Sequence, residues 1–396
     1  MKKLILLLTL LPCIAFGQRT YVPDDAFEAF LIWYGYDDVL DDSVDTDHIS
    51  SAVSLDIGFS SNSGTIYDLT GIEGFSSLKT LICNYNQLTS LDVSQNTELE
   101  NLNCLNNQLT SLNVDGGSLI LLSCQNNQLT NLDVSQNIGL TNLYCDNNPL
   151  TNLDVSQNTA LQLLYCTHQQ LTSLDLSNNA DLRSLRCYGN QLSNLDLSHN
   201  NALYMLQCGQ NLITSLDLSQ NPDIEGLWCE ENQLTSLHLS NHGALYTLNC
   251  ESNHLSCLNI ANGNNTNFLL FKTTNNNNLD CIEVDDPAWS AANWTYTDSQ
   301  TSFSVNCNYP SNCFSTVTIT ENTNSISLYP NPTNNLITLD IEGYNGLVNV
   351  EVYELTGKLL QTTTNTTISM GEYAKGIYVF KVAYGDRTQE LKVVKD

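Results

Sequence analysis

The chain of 396 residues holds 42 Asp and Glu against 13 Lys and Arg, a formal net charge of −29, with 14 cysteines. So acidic a chain repels nucleic acid and anionic membranes, which argues against either as a partner. Past residue 17 no segment reaches 18 consecutive apolar residues, so no transmembrane segment is expected in the mature chain.

Residues 1–17 open with Lys2 and Lys3, continue through the apolar run Leu4–Leu11, and end on the small residues Ala15 and Gly17. This is the pattern of a secretory signal peptide cut before Gln18. Pro12 ahead of Cys13 suits lipoprotein processing poorly. Residues 18–77 read as an N-terminal cap with a degenerate repeat. In "VPDDAFEAFLIWYGY" the spacing of Phe27, Phe30, Leu31 and Tyr34 predicts a helix started at Pro23–Asp24. The cluster Asp37, Asp38, Asp41, Asp42, Asp45 and Asp47 lacks the Gly and final Glu of an EF-hand loop. It reads as a solvated acidic loop, with calcium binding as the alternative.

Residues 78–260 repeat the unit L-x-x-L-x-C-x-x-N-x-L-x-x-L-x-[VLI], first as Leu78, Leu81, Cys83, Asn86, Leu88, Leu91 and Val93. Cys83, Cys104, Cys124, Cys145, Cys166, Cys187, Cys208, Cys229 and Cys250 follow at steps of 21 residues, once 20. This is the leucine-rich-repeat signature with Cys in place of one Leu. The alternation Leu-x-Cys predicts a strand buried on one face. Stacked coils then form a parallel solenoid, each covering the apolar face of the last. The nine cysteines become a ladder of buried thiols. Strands stack about 4.7–4.9 Å apart, whereas a disulfide holds its Cβ atoms about 3.8 Å apart. Asn86, Asn107, Asn127, Asn148, Asn190, Asn211, Asn232 and Asn253, with Gln169 in their series, form a second ladder where the strand turns. Asp92, Asp133, Asp154, Asp175, Asp196 and Asp217 form a third, interrupted by Asn113 and ended by His238. Nearby hydroxyls and turn amides are expected to hold these carboxylates, with calcium bridging as the alternative.

Residues 261–313 close the solenoid as a C-terminal cap. Cys257, Cys281, Cys307 and Cys313 stand outside the ladder, and an exported chain favours disulfides at such an end. Cys281–Cys307 is the favoured bridge and Cys257–Cys313 the second. Residues 314–325 read as a linker. Residues 326–396 alternate in short runs, "ITLDI", "VNVEVYEL", "IYVFKVAY" and "ELKVVKD", which predicts a small antiparallel β-sandwich. The fold class is therefore mainly β: a leucine-rich-repeat solenoid of parallel β coils of about 21 residues, with an N-terminal helical cap, followed by a sandwich. Six basic residues crowd into the last 71 positions, against five between residues 19 and 325, which marks the tail as a separate domain.

The tail resembles the type A C-terminal sorting domains of the Bacteroidota type IX secretion system. Its Tyr329-Pro330-Asn331-Pro332 entry, Gly357-Lys358 turn, Gly376-Ile377-Tyr378 strand and "KVVKD" end carry the likeness. The resemblance implies export through the periplasm, partnership with the type IX machinery and its sortase, removal of this domain, and a product either anchored at the outer-membrane surface or released. The preceding 300 or so residues resemble flavobacterial leucine-rich-repeat proteins in "YVPDDAFEAFL", "DLTGIEGFSSLKTL", "NQLTSLDVSQN" and "DCIEVDDPAWSAANW". That likeness implies recognition rather than catalysis.

No catalytic set is legible. Cys166 should face inward while His168 lies beyond the strand, which separates any nucleophile from its base. No cofactor is expected. The positions that vary between repeats are those projecting beside the buried Leu and Cys, on the face expected to be concave. There Tyr144, Tyr165, Arg183, Arg186, Tyr188 and Trp228 stand out, the residue types that dominate binding hot spots. The expected function is binding of an extracellular protein or glycan through this face. A structural surface-coat or adhesin-like protein without a specific ligand is the alternative.

Overall fold

A computed structural model describes residues 18–58, 64–310, 313–314, 326–329, 331–341, 346, 348–354, 358–384 and 387–395. Residues 1–17 and most of 314–325, where the signal peptide and the linker are expected, lie outside the described residues. The chain divides into two compact units, one ending at Phe314 and the other starting at Ser315. Among the described residues, no helix is long and apolar enough to cross a membrane.

Each coil of the first unit contributes one three-residue strand to a parallel sheet of eleven. The sheet runs from Ser54–Asp56 to Leu270–Lys272, so it begins within residues 18–77 and ends within 261–313. Register is strict: Leu143, Leu164, Leu185, Leu206 and Leu227 are successive partners, as are Tyr144, Tyr165, Arg186, Gln207 and Trp228. The first row points inward and the second outward, because side chains along a strand alternate between faces. The inward Leu and all nine ladder Cys are fully buried in one continuous core. A buried Leu contributes roughly 1.5–3 kcal/mol, and no single coil has a second apolar layer to pack against, so the stacking supplies the stability.

The nine ladder thiols are free. The two disulfides join Cys281 to Cys307 and Cys257 to Cys313, with Cα separations of 5.8 and 6.0 Å. They tie the end of the first unit to a four-stranded outer sheet that contains Ser236–His238, Cys257–Asn259, Cys281–Glu283 and Ser302–Ser304. The Tyr309 hydroxyl joins the same strands: it accepts from the Leu258 N–H at 3.1 Å, and its one proton lies within reach of the Leu258 and Cys281 carbonyls, at 2.8 and 2.7 Å.

At the other end, the helix Asp25–Tyr34 is capped by Asp24, whose carboxylate accepts from the backbone N–H groups of Ala26 and Phe27. Phe27, Phe30 and Leu31 are buried, and Tyr34 is largely outside the core with its hydroxyl donating to the Asp56 carbonyl. Glu28 is fully buried as well, and its carboxylate accepts from the backbone N–H groups of Asp41, Asp42 and Ser43 at 3.0–3.1 Å. The acidic loop is thus wound around a carboxylate on the helix.

The second unit packs a three-stranded antiparallel sheet and a four-stranded one around Ile337, Val350, Val352, Phe380, Val382 and Val393. Asn331 of the entry motif donates to the Lys392 carbonyl and accepts from the Val394 N–H, both at 2.8 Å. Lys395 donates to the Asn334 carbonyl. Tyr378 is buried, stacks on Tyr373 and donates to the Ala374 carbonyl. Lys358 faces Glu354 at 4.0 Å, and Gly376 pairs with Lys395. Pro330 and Gly357 lie outside the described residues.

Candidate binding face

After each strand the chain turns sharply, and the residue ahead of the ladder Asn takes a left-handed conformation. Tyr85, Asn106, Asn126, Asn147, His168, Gly189, Gln210, Glu231, Ser252 and Asn275 all have φ between 49° and 71°. Asn and Gly, which hold five of these ten places, tolerate this region at little cost, and Tyr85, His168, Gln210, Glu231 and Ser252 are held there by the turn. The turn is held by the ladder Asn: Asn107 donates to the carbonyls of Cys83 and Cys104 at 3.0 and 3.1 Å and accepts from the Leu88 N–H at 3.0 Å. This turn aims the next outward row, Asp146, Thr167 and Tyr188, along the C-terminal edge of the sheet.

The outward row of the strands carries a connected aromatic and cationic series. Tyr144 and Tyr165 meet edge to face with ring centres 5.0 Å apart. The Arg186 guanidinium carbon lies 4.2 Å from the centre of the Tyr165 ring, close enough for a cation–π contact. Tyr188 meets the His168 ring edge to face at 5.3 Å. Burial pushes the Tyr188 phenol up, and the carboxylates of Glu231 and Glu230 add to this. Trp228 stands two strands beyond Arg186 and folds back over its own strand. A Cβ at Gly226 would lie 2.5 Å from the indole Cζ3, so Gly226 is needed for the ring to lie flat there. Arg183 is exposed just ahead of the strand Ser184–Arg186.

Four ion pairs occur among the described residues: Arg19–Asp41, Lys79–Glu100, Lys272–Glu251 and Lys358–Glu354. Neither Arg183 nor Arg186 belongs to one, and the Arg186 Nε is buried without a hydrogen-bond partner. A groove of about 490 Å³ runs beside Arg186 and Tyr188. Its other lining includes Tyr85, Gln125, Asn126, Asp146, Asn147, Thr167 and Gln207. The structure therefore joins Arg186 and Tyr188 in one groove, sets Tyr144 and Tyr165 on its flank, and leaves Arg183 and Trp228 outside its lining. Strand alternation did not expose the amide lining. The first Asn of the repeated "NN" pair was its available signal.

The opposite side of the coils is scaffold. Asp92, Asp133, Asp154, Asp175, Asp196 and Asp217 each accept from the backbone N–H two residues on, at 2.9 Å. The backbone and hydroxyl of Ser135 lower the pKa of Asp133, and the hydroxyl and backbone of Ser156 lower that of Asp154. Beside them runs a buried ladder that the repeat pattern had left inside the scaffold phrase: Asn96, Asn137, Asn158, Asn179, Asn200 and Asn221. Asn158 donates to the carbonyls of Val134 and Asn137, both at 2.9 Å. His242 takes the next place, with its Nε2 3.1 Å from the Leu218 carbonyl.

Chemistry at the core thiols is disfavoured. Burial pushes the Cys83 thiol up to about 12 and Cys166 higher still. Groups of carboxylates able to share a cation occur at Asp25, Glu28 and Asp42 and at Glu28, Asp37 and Asp41. Both Glu28 oxygens already accept backbone N–H groups there, which makes it an anchor of the loop.

Residues 327–396 match the family model of the secretion-system C-terminal sorting domain. A stretch of 77 residues, 19% of this chain and 8% of the relative's length, is 39% identical to internalin J of Listeria monocytogenes serotype 4b. The solved functional domain of InlJ from Listeria monocytogenes, which includes a cysteine ladder, is similar with a TM-score of 0.55 and 25% identity, over 96% of this chain and 99% of that one. A TDR receptor is similar in fold, with a TM-score of 0.52 and 17% identity, over 65% of this chain and 53% of the receptor chain. The chain thus combines a leucine-rich-repeat-like solenoid with a sorting tail that directs export by type IX secretion, to the cell surface or the medium.

Proposed function

We propose that this protein is a non-enzymatic recognition module that grips an extracellular macromolecule on the outward face of its long sheet, and that the secretion machinery's sortase removes the tail on export. The observation that carries the reading is the contrast between the two sides of the coil. The Asp and buried Asn positions repeat almost unchanged, while the outward row runs Tyr144, Tyr165, Arg186, Gln207 and Trp228. Scaffold needs repetition, whereas recognition needs a particular arrangement of anchors such as Tyr, Trp and Arg. The resemblance to the InlJ functional domain supports the same reading. Purified chain presented to arrays of extracellular proteins and polysaccharides tests it. Binding lost in Tyr144→Ala and Trp228→Ala, and kept in Asp154→Ala and Asp175→Ala, is the expected result. The opposite pattern, or a protein that binds nothing on either array, overturns it in favour of a surface coat.

A further inference from the structure

Arg186 is an anomaly in this chain. It is a cation in a protein of formal net charge −29, held in place by a ring, with no carboxylate of its own among the described residues. Long cationic side chains left free normally extend into water, because fixing them costs side-chain entropy. Here Tyr165 holds the guanidinium, and its Nε has already lost its water without gaining a partner. An arginine fixed in this way presents its fork to a planar anion with little further ordering.

The surroundings narrow the anion. Its own row, Tyr144, Tyr165, Gln207 and Trp228, carries no carboxylate; the nearest in the adjoining row are Asp146, in the groove lining, and Glu230, each two strands away and roughly 10 Å off at the usual strand spacing. At about the Debye length of physiological salt they leave one isolated positive point between two negative ones. A polyphosphate or densely sulfated chain would meet repulsion on both sides, whereas a single carboxylate would not. The rest of the lining is neutral and polar: Gln125, Asn126, Asn147, Thr167 and Gln207. Amides and hydroxyls both donate and accept, which matches sugar hydroxyls. Tyr188 adds an aromatic face with a polar tip. A peptide ligand would instead want apolar pockets for its side chains, and Leu105 is the one aliphatic residue lining the groove.

We infer that Arg186 is the carboxylate-recognising centre of a subsite for a uronate-bearing glycan, with Tyr188 under the sugar ring and the amide row on its hydroxyls. This rests on the outward face being the binding surface. The test titrates the full chain with a neutral oligosaccharide ended by one galacturonate, and with the same oligosaccharide after that carboxyl is reduced to an alcohol. Wild type should bind the acid form at least about tenfold more tightly, given the strength of charge-assisted bonds. Arg186→Gln should erase that preference while keeping the melting temperature, and Tyr188→Ala should weaken both forms alike. Equal affinity for the two forms, or a preference that survives Arg186→Gln, overturns the assignment. Tighter binding of heparin than of the singly charged oligosaccharide overturns it too. If neither oligosaccharide binds but an extracellular protein is captured through Tyr144 and Trp228, the glycan subsite fails and the binding face stands. If nothing binds through this face, both fail.

Discussion

The side-chain amide of Asn148 donates to the carbonyl of Cys124, one coil earlier, at 3.0 Å. It also donates to Cys145 of its own coil at 2.9 Å, and its Oδ1 accepts from the Leu129 N–H at 3.0 Å. One amide thus closes a turn and locks two coils together. Asn148→Ala leaves the buried Leu129 N–H without a partner and takes one donor each from the Cys124 and Cys145 carbonyls, which keep Asn127 and Gln169, and should cost about 1–3 kcal/mol. Asp154→Ala on the exposed side should stay within about 1 kcal/mol. Urea denaturation of both variants checks the contrast. A loss at Asn148 no larger than that at Asp154 would show that the ladder does not join the coils.

The thiol ladder makes a chemical prediction. Burial pushes Cys83 up to about 12 and its neighbours well above their ordinary value. Thiolates are the reactive species, so a thiol reagent at neutral pH should label almost none of the nine in the native chain and all nine in denaturant. Cys166→Asp should abolish folding, since it buries a charge without a partner. Cys166→Ala should fold with a loss of about 1 kcal/mol. Rapid native labelling of several ladder cysteines would contradict the buried core.

Much of this fold was legible because its period is strict. Leu-x-Cys alternation settled which residues face inward, and the off-ladder cysteines pair as Cys281–Cys307 and Cys257–Cys313. What escaped the sequence depended on local backbone geometry. The left-handed row at Asn106, Asn126 and Asn147 is a property of the turn, and polar periodicity alone does not reveal it. That row decides that the groove runs along the strand ends by Tyr188 rather than over Tyr144. Glu28 escaped for another reason: a carboxylate inside a helix pattern reads as solvated until its three N–H donors, thirteen to fifteen residues on, are in place.

His242 gives the solenoid a pH dependence with a definite sign. Burial lowers its pKa from the ordinary value, so the folded chain holds it neutral. The unfolded chain takes up that proton first as pH falls through about 6.5. Stability should therefore be flat above that pH and decline below it. His242→Asn restores the amide of the other coils, and should remove the decline between about pH 6.5 and 5 while leaving stability at pH 8 nearly unchanged. The depressed carboxyls of Asp133 and Asp154 act lower still. Their contribution is present above the ordinary Asp value near 4 and disappears as pH falls through their folded values. Denaturation curves at pH 8 and pH 5 separate these effects. An unaltered decline in His242→Asn would assign it to other groups.

The entry motif of the tail is fastened to the last strand through one side chain. Asn331 donates to the Lys392 carbonyl and accepts from the Val394 N–H, and Lys395 closes the same corner on Asn334. Asn331→Ala removes both of the first two bonds without touching the core around Phe380 and Val350. It should destabilise the second unit by about 1–3 kcal/mol. The first unit has its own core, so its transition should not move. Calorimetry of the full chain would then show only one of two transitions shifted downward. In the native host, the same substitution should reduce the amount of protein reaching the surface and raise the amount retained in the periplasm. Asn331→Asp keeps the acceptor and loses the donor, so it should fall between wild type and Ala in both readouts. Equal surface delivery from all three chains would mean that the secretion machinery does not depend on this corner being closed.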